Sequence, residues 1–268
     1  MHAIKTFLKK IPILGPLAKQ IHSRLWHRLP SELTLTDWIE LLIPQEEAQI
    51  VQIGSNDGKE GDPIHCLLEK RKKWKALLVE PVPYLFERLK RNYPDHPRFR
   101  FENAAINDGT NATFYWVDES ARKNLPDLPF WYDQLGSFDR QHIVKHLDGV
   151  LEPYIVSTEI RGLSLGDLFL KNRISRISLL HVDAEGHDYK IISQLDLSTT
   201  RPDIILFEHS HLADDELQDS IRRFSRRYKI FKFKFDFLCV KKDWKFLFNG
   251  KLKRLERQRP SMKPVGGY

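Results

Sequence analysis

Between residues 49 and 240 the chain alternates short apolar runs with stretches of helical periodicity, and this alternation narrows the accessible folds more than any other feature. Ile50-Val51-Gln52-Ile53, Ala76-Leu77-Leu78-Val79, residues 177–182 and Ile204-Ile205-Leu206-Phe207 read as strands. Residues 63–72, 84–92, 163–172, 187–195 and 214–228 read as helices. Strand–helix–strand repetition is the mark of βαβ units, so an α/β chain with a mostly parallel sheet is expected. Residues 99–106 and 112–117 are expected as two further strands joined as a hairpin through Asn107-Asp108-Gly109. Residues 229–240 read as one or two antiparallel strands. Residues 118–152, with Pro126, Pro129, Gly136 and Gly149, are expected as an irregular excursion with a short helix over 140–146, long enough to be functional.

The domain start is expected at Ser31, where Ser31-Glu32-Leu33 and then Thr36-Asp37-Trp38-Ile39-Glu40-Leu41-Leu42 read as a capped helix ending before Pro44. Three segments follow: a basic amphipathic segment over 1–30, a domain over 31–249 and a basic, flexible tail over 250–268. A length of 268 residues, 41% hydrophobic and 29% charged, suits one such domain and excludes disordered, collagenous and disulfide-scaffold classes. With only Cys66 and Cys239, no disulfide framework is expected, which suits a reducing, cytoplasmic location. No run of eighteen apolar residues occurs.

Charge divides unevenly along the chain: +6 over residues 1–30, −12 over 31–221 and +13 over 222–268. An acidic body argues against a nucleic-acid groove. Ile4, Phe7, Leu8 and Ile11 form an apolar stripe opposite Lys5, Lys9 and Lys10, although Pro12 and Gly15-Pro16 interrupt any helix there. Residues 1–28 are therefore expected to touch an anionic surface peripherally at the inner membrane face, with packing against protein as the competing reading.

In such folds ligands bind beyond the C-terminal ends of the strands. The first strand ends in Gly54-Ser55-Asn56-Asp57-Gly58, a turn whose glycines allow close backbone approach. Glu80 follows at the end of the second strand, at the spacing where an acid holds ribose hydroxyls. The loop lacks a Lys-Ser/Thr pair and carries Asp57, so a positively charged nucleoside fits better than a nucleotide with phosphates. Asn103-Ala104-Ala105 could frame an adenine. Asp183-Ala184-Glu185-Gly186-His187-Asp188 and Glu208-His209-Ser210-His211 end two later strands with a density of ionisable groups beyond what a turn needs, though helix capping explains part of it.

Five segments together resemble the FkbM-type methyltransferases: Val51-Gln52-Ile53-Gly54-Ser55-Asn56-Asp57-Gly58, Leu78-Val79-Glu80-Pro81-Val82-Pro83, Phe101-Glu102-Asn103-Ala104-Ala105-Ile106, Leu135-Gly136-Ser137-Phe138, and Leu180-His181-Val182-Asp183-Ala184-Glu185-Gly186-His187-Asp188-Tyr189. The resemblance covers residues 49–240. It implies a class I, Rossmann-like three-layer fold with a seven-stranded sheet whose last hairpin inserts an antiparallel strand. It also implies S-adenosyl-L-methionine as cofactor and O-methylation of a sugar or related natural-product or glycan hydroxyl. Asn56 stands where many class I chains have a second glycine.

Cofactor contacts are expected from Gly54, Ser55, Asn56, Asp57, Gly58, Glu80, Asn103, Ala104 and Asp183. Asp183, Glu208 and His209 are the candidate general bases, and Asp183 could instead orient the donor's amino group. Trp131, Tyr132, Ser137 and Phe138 could close over the acceptor. His142 and His146, four apart, read as a solvated helix face rather than a ligand pair, and no Cys/His pattern with ligand spacing occurs, so no metal is expected. The alternative from another class is a non-catalytic membrane-surface or assembly module retaining the fold. A nicotinamide-dependent enzyme is disfavoured because G-x-G-x-x-G is missing from the first loop.

Overall fold

The computed structural model describes residues 33–93 and 97–243, with the backbone of 262–264. The amphipathic segment over 1–30, with its expected membrane contact, lies outside the described residues, as does most of the basic tail. The first described helix is α1 (Leu35–Leu42). Its cap is Thr34, three residues beyond the Ser31 expected. The Asp37 amide donates to Thr34 Oγ1 at 3.2 Å and the Thr34 amide donates to Asp37 Oδ2 at 2.9 Å, a reciprocal capping box.

In chain order follow β1 (Gln49–Ile53), α2 (His65–Lys70), β2 (Lys75–Val79), α3 (Pro83–Asn92), β3 (Phe99–Glu102), β4 (Ala112–Val117), α4 (Ala121–Asn124) and α5 (Arg140–Val144). Then come β5 (Ile155–Ile160), α6 (Leu165–Lys171), β6 (Leu179–Val182), α7 (Asp188–Ile192), β7 (Ile204–Glu208), α8 (Asp214–Ser225), β8 (Tyr228–Phe233), β9 (Asp236–Lys241) and β10 (Met262–Pro264). The main sheet runs β10-β8-β9-β7-β6-β1-β2-β3. Neighbours from β3 to β7 are parallel, and β9 is inserted antiparallel between β7 and β8. This is the expected mostly parallel sheet of seven strands. An eighth, β10, pairs antiparallel with β8 and is drawn from within the segment expected to be flexible.

Residue parity explains the two layers on the sheet. Ile50, Leu78, Leu179, Ile204 and Leu206 pack with Trp38, Ile39, Leu67 and Leu89 of α1 to α3. The alternate residues Val51, Ile53, Val79, Val182, Ile205 and Phe207 pack with Leu165, Leu168, Ile191 and Phe224 of α6 to α8. Because strands β1, β2, β6 and β7 are covered on both faces, they appear in the sequence as continuous apolar runs. Gln52 and His181 interrupt one layer as a buried pair, Gln52 Nε2 to His181 Nδ1 at 3.2 Å.

The expected hairpin across Asn107-Asp108-Gly109 does not form. The turn itself does: Asn107 Oδ1 accepts from the Gly109 amide at 2.9 Å. Ile106, however, bridges Leu163 in parallel, and β4 leaves the main sheet to pair antiparallel with β5, Ala112 opposite Ile160 through Val117 opposite Ile155. The excursion between β4 and β5 folds on its own small core of Val117, Ala121, Tyr132, Leu135, Ile143 and Leu151. A bridge between Tyr115 and Ser137 brings Gln134, Gly136 and Phe138 over the end of the main sheet. Among the described residues no helix is long and apolar enough to cross a membrane.

Candidate active site

The turn after β1 is held from three sides. Gly54 has φ +78°, and a Cβ there would lie 1.7 Å from the Asp183 carbonyl oxygen, so only glycine fits. The amides of Gly54 and Ser55 both donate to Val79 O at 3.0 Å, and Ser55 Oγ accepts from the Val79 amide at 3.2 Å. Asp57 Oδ1 accepts the amides of Lys59 and Glu60, each at 2.9 Å. Ser55 and Asp57 thus shape the loop, and their side chains do not face the cleft formed between β1, β2 and β6.

Glu80 sits across that cleft, 2% exposed. Its Oε2 accepts from the Asn56 amide and its Oε1 from the Val82 amide, both at 2.8 Å. Burial pushes its pKa up to about 7, against the lowering effect of those two amides. A carboxylate offers about four lone-pair positions, so two remain for an incoming donor.

The cleft is lined by Gly54, Asn56, Glu80, Ala104 and Asp183 among the residues expected from sequence. Gly58 and Asn103 lie off its wall. Asn103 Nδ2 donates to Glu80 O at 2.8 Å and Pro81 O at 3.0 Å, tying two strand ends together. Residues not singled out for cofactor contact complete it: Pro81, Val82, Phe114, Gln134, Gly136, Glu185 and His187. Phe138 also lines it, with its ring centroid 5.2 Å from Phe114 and 4.5 Å from His187. The cleft encloses about 460 Å³, open to solvent on one side, within the range of a small-ligand site. Trp131 and Tyr132 pack instead within the excursion's own core.

Asp183 brings the strongest electrostatics. Burial raises its pKa well above the ordinary carboxylate range, reinforced by Glu185, Asp188, Glu208 and Asp236. Burial likewise raises Glu208, whose carboxylate accepts from the Ser210 hydroxyl, and raises Asp236 to about 7. Asp188 is committed to structure, accepting the Ala184 amide at 3.2 Å and the Glu208 amide at 3.3 Å. His209 stacks on Phe237 at 4.4 Å, and neither it nor Glu208 lines the cleft. Burial lowers the pKa of His209, and that of His187 to about 4. His142 corrects the solvated-face expectation: it is 4% exposed and faces Glu185.

Parallel strands with an antiparallel insertion before the last, a glycine turn after β1 and acids ending β2 and β6 define a class I methyltransferase architecture. The Methyltransferase FkbM domain matches residues 52–235. The chain belongs to that family. Among solved structures, it is similar to a fibrillarin/Nop5p complex at 8% identity and TM-score 0.38, covering 74% of this chain and 73% of that one. It is also similar to precorrin-6y C5,15-methyltransferase from Geobacter metallireducens GS-15, at 11% identity and TM-score 0.35, covering 76% and 86%. A TehB-like SAM-dependent methyltransferase from Corynebacterium glutamicum ATCC 13032 Kitasato is similar at 12% identity and TM-score 0.33, covering 84% and 97%. No curated protein matches the chain.

Proposed function

We propose that the chain is an S-adenosyl-L-methionine-dependent methyltransferase acting on a hydroxyl of a sugar or related natural product or glycan. The observation that carries this reading is the pairing of Glu80 and Asp183, two acids on either side of β1 that face one cleft. Glu80 has two acceptor positions left for the ribose diol, while the Gly54 and Asn56 backbone and Ala104 supply the wall for the remaining nucleoside. When bound, the cofactor supplies an electrophilic methyl group on a sulfonium. The acids clustered beside Asp183 suit a cationic donor better than an anionic one.

Asp183 is the general base of this proposal. Asp183 lines the cleft, where burial and its acidic neighbours raise its affinity for a proton, and general-base assistance to the acceptor hydroxyl is worth about 10² to 10⁴-fold in rate. Glu208 strengthens that affinity from the neighbouring strand, and His209, held against Phe237, does not face the cleft. Phe138 lines the cleft against His187 and Phe114 and is placed to shield a bound acceptor from water.

Calorimetric titration of the full chain with S-adenosylhomocysteine and with NAD tests the cofactor. Saturable binding of the first and none of the second is expected, and the reverse sinks the reading. Methyl transfer from labelled cofactor to sugar hydroxyls, with amine acceptors in parallel, then tests the acceptor class.

A further inference from the structure

Beside the cleft, four side chains from separate parts of the chain converge: His142 on α5, Glu185 after β6, Glu208 ending β7 and His211 just beyond it. His142 Nε2 lies 3.0 Å from Glu185 Oε2. His211 Nε2 lies 4.0 Å from that same oxygen and 3.5 Å from Glu208 Oε1. One donor atom each of Glu185, Glu208 and His211 lies within 4.8 Å of the other two. We propose that Glu185, Glu208 and His211, completed by His142, bind a first-row divalent transition-metal ion.

The separations are those of a coordination shell. Nitrogen and oxygen ligands sit about 2.0 to 2.2 Å from such an ion, so neighbouring donors stand about 3 to 3.6 Å apart. The three pairs His142–Glu185, His211–Glu208 and His211–Glu185, at 3.0, 3.5 and 4.0 Å, bracket that spacing, and side-chain adjustment within the cluster closes the rest.

Charge balance points the same way. Asp183, Glu185 and Asp188 follow β6, Glu208 ends the neighbouring β7, and Asp236 of β9 stands opposite Glu208, so these five acids crowd one region. Among the described residues, no lysine or arginine ion pair engages any of the five; the ion-pair partners of Glu185 and Glu208 are His142 and His211. Carboxylates at this range repel one another unless protonated or bridged by a cation, and a divalent ion supplies the missing charge.

The donor set also selects the class of ion. Two imidazoles with two carboxylates suit manganese, iron, cobalt, nickel or zinc, whereas magnesium and calcium favour all-oxygen shells. His146 packs alongside, its Nδ1 2.6 Å from the His142 carbonyl oxygen and its ring 4.9 Å from that of His142. The site is open in front, with side-chain exposures of 20% at Glu185, 16% at Glu208 and 30% at His211. Because Glu185 is itself part of the cleft wall, an ion here stands beside the acceptor position and can acidify a hydroxyl bound there. That role rests on the transferase reading; the binding does not.

The test is direct titration of the chelator-stripped full chain with Zn²⁺, Mn²⁺ and Mg²⁺ by calorimetry, with Mn²⁺ followed in parallel by electron paramagnetic resonance. One equivalent of Zn²⁺ or Mn²⁺ is expected to bind at micromolar or better affinity, with Mg²⁺ weaker. His211→Ala and Glu185→Gln are each expected to weaken the transition ion by about 10 to 100-fold with thermal unfolding unchanged. No saturable binding of Zn²⁺ or Mn²⁺ at millimolar concentration, or equal affinity in the parent and both variants, overturns the site and leaves a His142–Glu185 ion pair. S-adenosylhomocysteine titrated into the same stripped chain reports the cofactor site separately, so loss of one reading is distinguishable from loss of the other.

Discussion

Gly54 and Asp183 are in backbone contact: a single carbon added to Gly54 would lie 1.7 Å from the Asp183 carbonyl oxygen. The contact joins the ends of β1 and β6, where the cleft opens, and Gly54 also carries φ +78°. Gly54→Ala therefore imposes both a collision and a left-handed alanine. It should destabilise the fold by about 3 kcal/mol or more, lowering Tm by several degrees in thermal unfolding. An unchanged Tm would show that the two strand ends do not meet this closely.

Glu80 joins the loop after β1 to the loop after β2 through its two amide partners, and the proposed ribose contact uses the lone pairs left over. Glu80→Gln keeps one acceptor oxygen and replaces the other by a donor. We expect S-adenosylhomocysteine affinity to fall about tenfold or more, matching loss of about 1.5 to 3 kcal/mol for a charged hydrogen bond. Calorimetry at pH 8 reads this, and parent-like affinity removes the ribose assignment.

How far the site could be read in the sequence depends on what each residue does. Strands β1, β2, β6 and β7 announce themselves because both faces are buried, and Glu80 follows from its distance beyond the glycine turn. Strand β5 does not, because Ser157, Thr158 and Glu159 are exposed at its centre and leave no apolar run; without it, the turn at Asn107-Asp108-Gly109 points β4 to β3, whereas its partner is β5. Ser55, Asp57 and Asn103 look like ligand contacts in a linear motif, yet their side chains are spent on nearby backbone. The grouping of His142, Glu185, Glu208 and His211 exists only in tertiary structure, since the excursion carrying His142 must first fold back over β6 and β7.

Asp183→Asn separates base chemistry from binding. The amide is nearly isosteric and cannot take a proton, so kcat should fall about 10² to 10⁴-fold while S-adenosylhomocysteine affinity stays within a few-fold. If affinity collapses and kcat does not, Asp183 orients the donor instead. Glu208→Gln should lower kcat less, because Glu208 does not line the cleft.

The pKa of Glu80 gives the last prediction a definite sign. Burial raises it from 4.5 to about 7, so the free folded chain holds a proton there that the unfolded chain has released. Stability from this group is fully present below about pH 4.5 and is lost as pH rises through about 7. Asp62, raised to about 6, acts in the same direction, while His181, lowered to about 4, acts oppositely only up to about pH 6.5. Above that, Glu80 dominates among these three, and the free chain should lose stability from pH 6.5 to 8. Ribose hydroxyls donate to the ionised carboxylate and favour it, so cofactor binding should release a proton. With a pKa of about 7, the ionised fraction rises about tenfold between pH 6 and 8, and S-adenosylhomocysteine affinity should rise by about the same factor. Calorimetry at pH 6, 7 and 8, repeated in buffers of different ionisation enthalpy, measures both the affinity and the proton. A flat profile in Glu80→Gln beside a rising one in the parent assigns the effect to Glu80, and a flat profile in both sinks it.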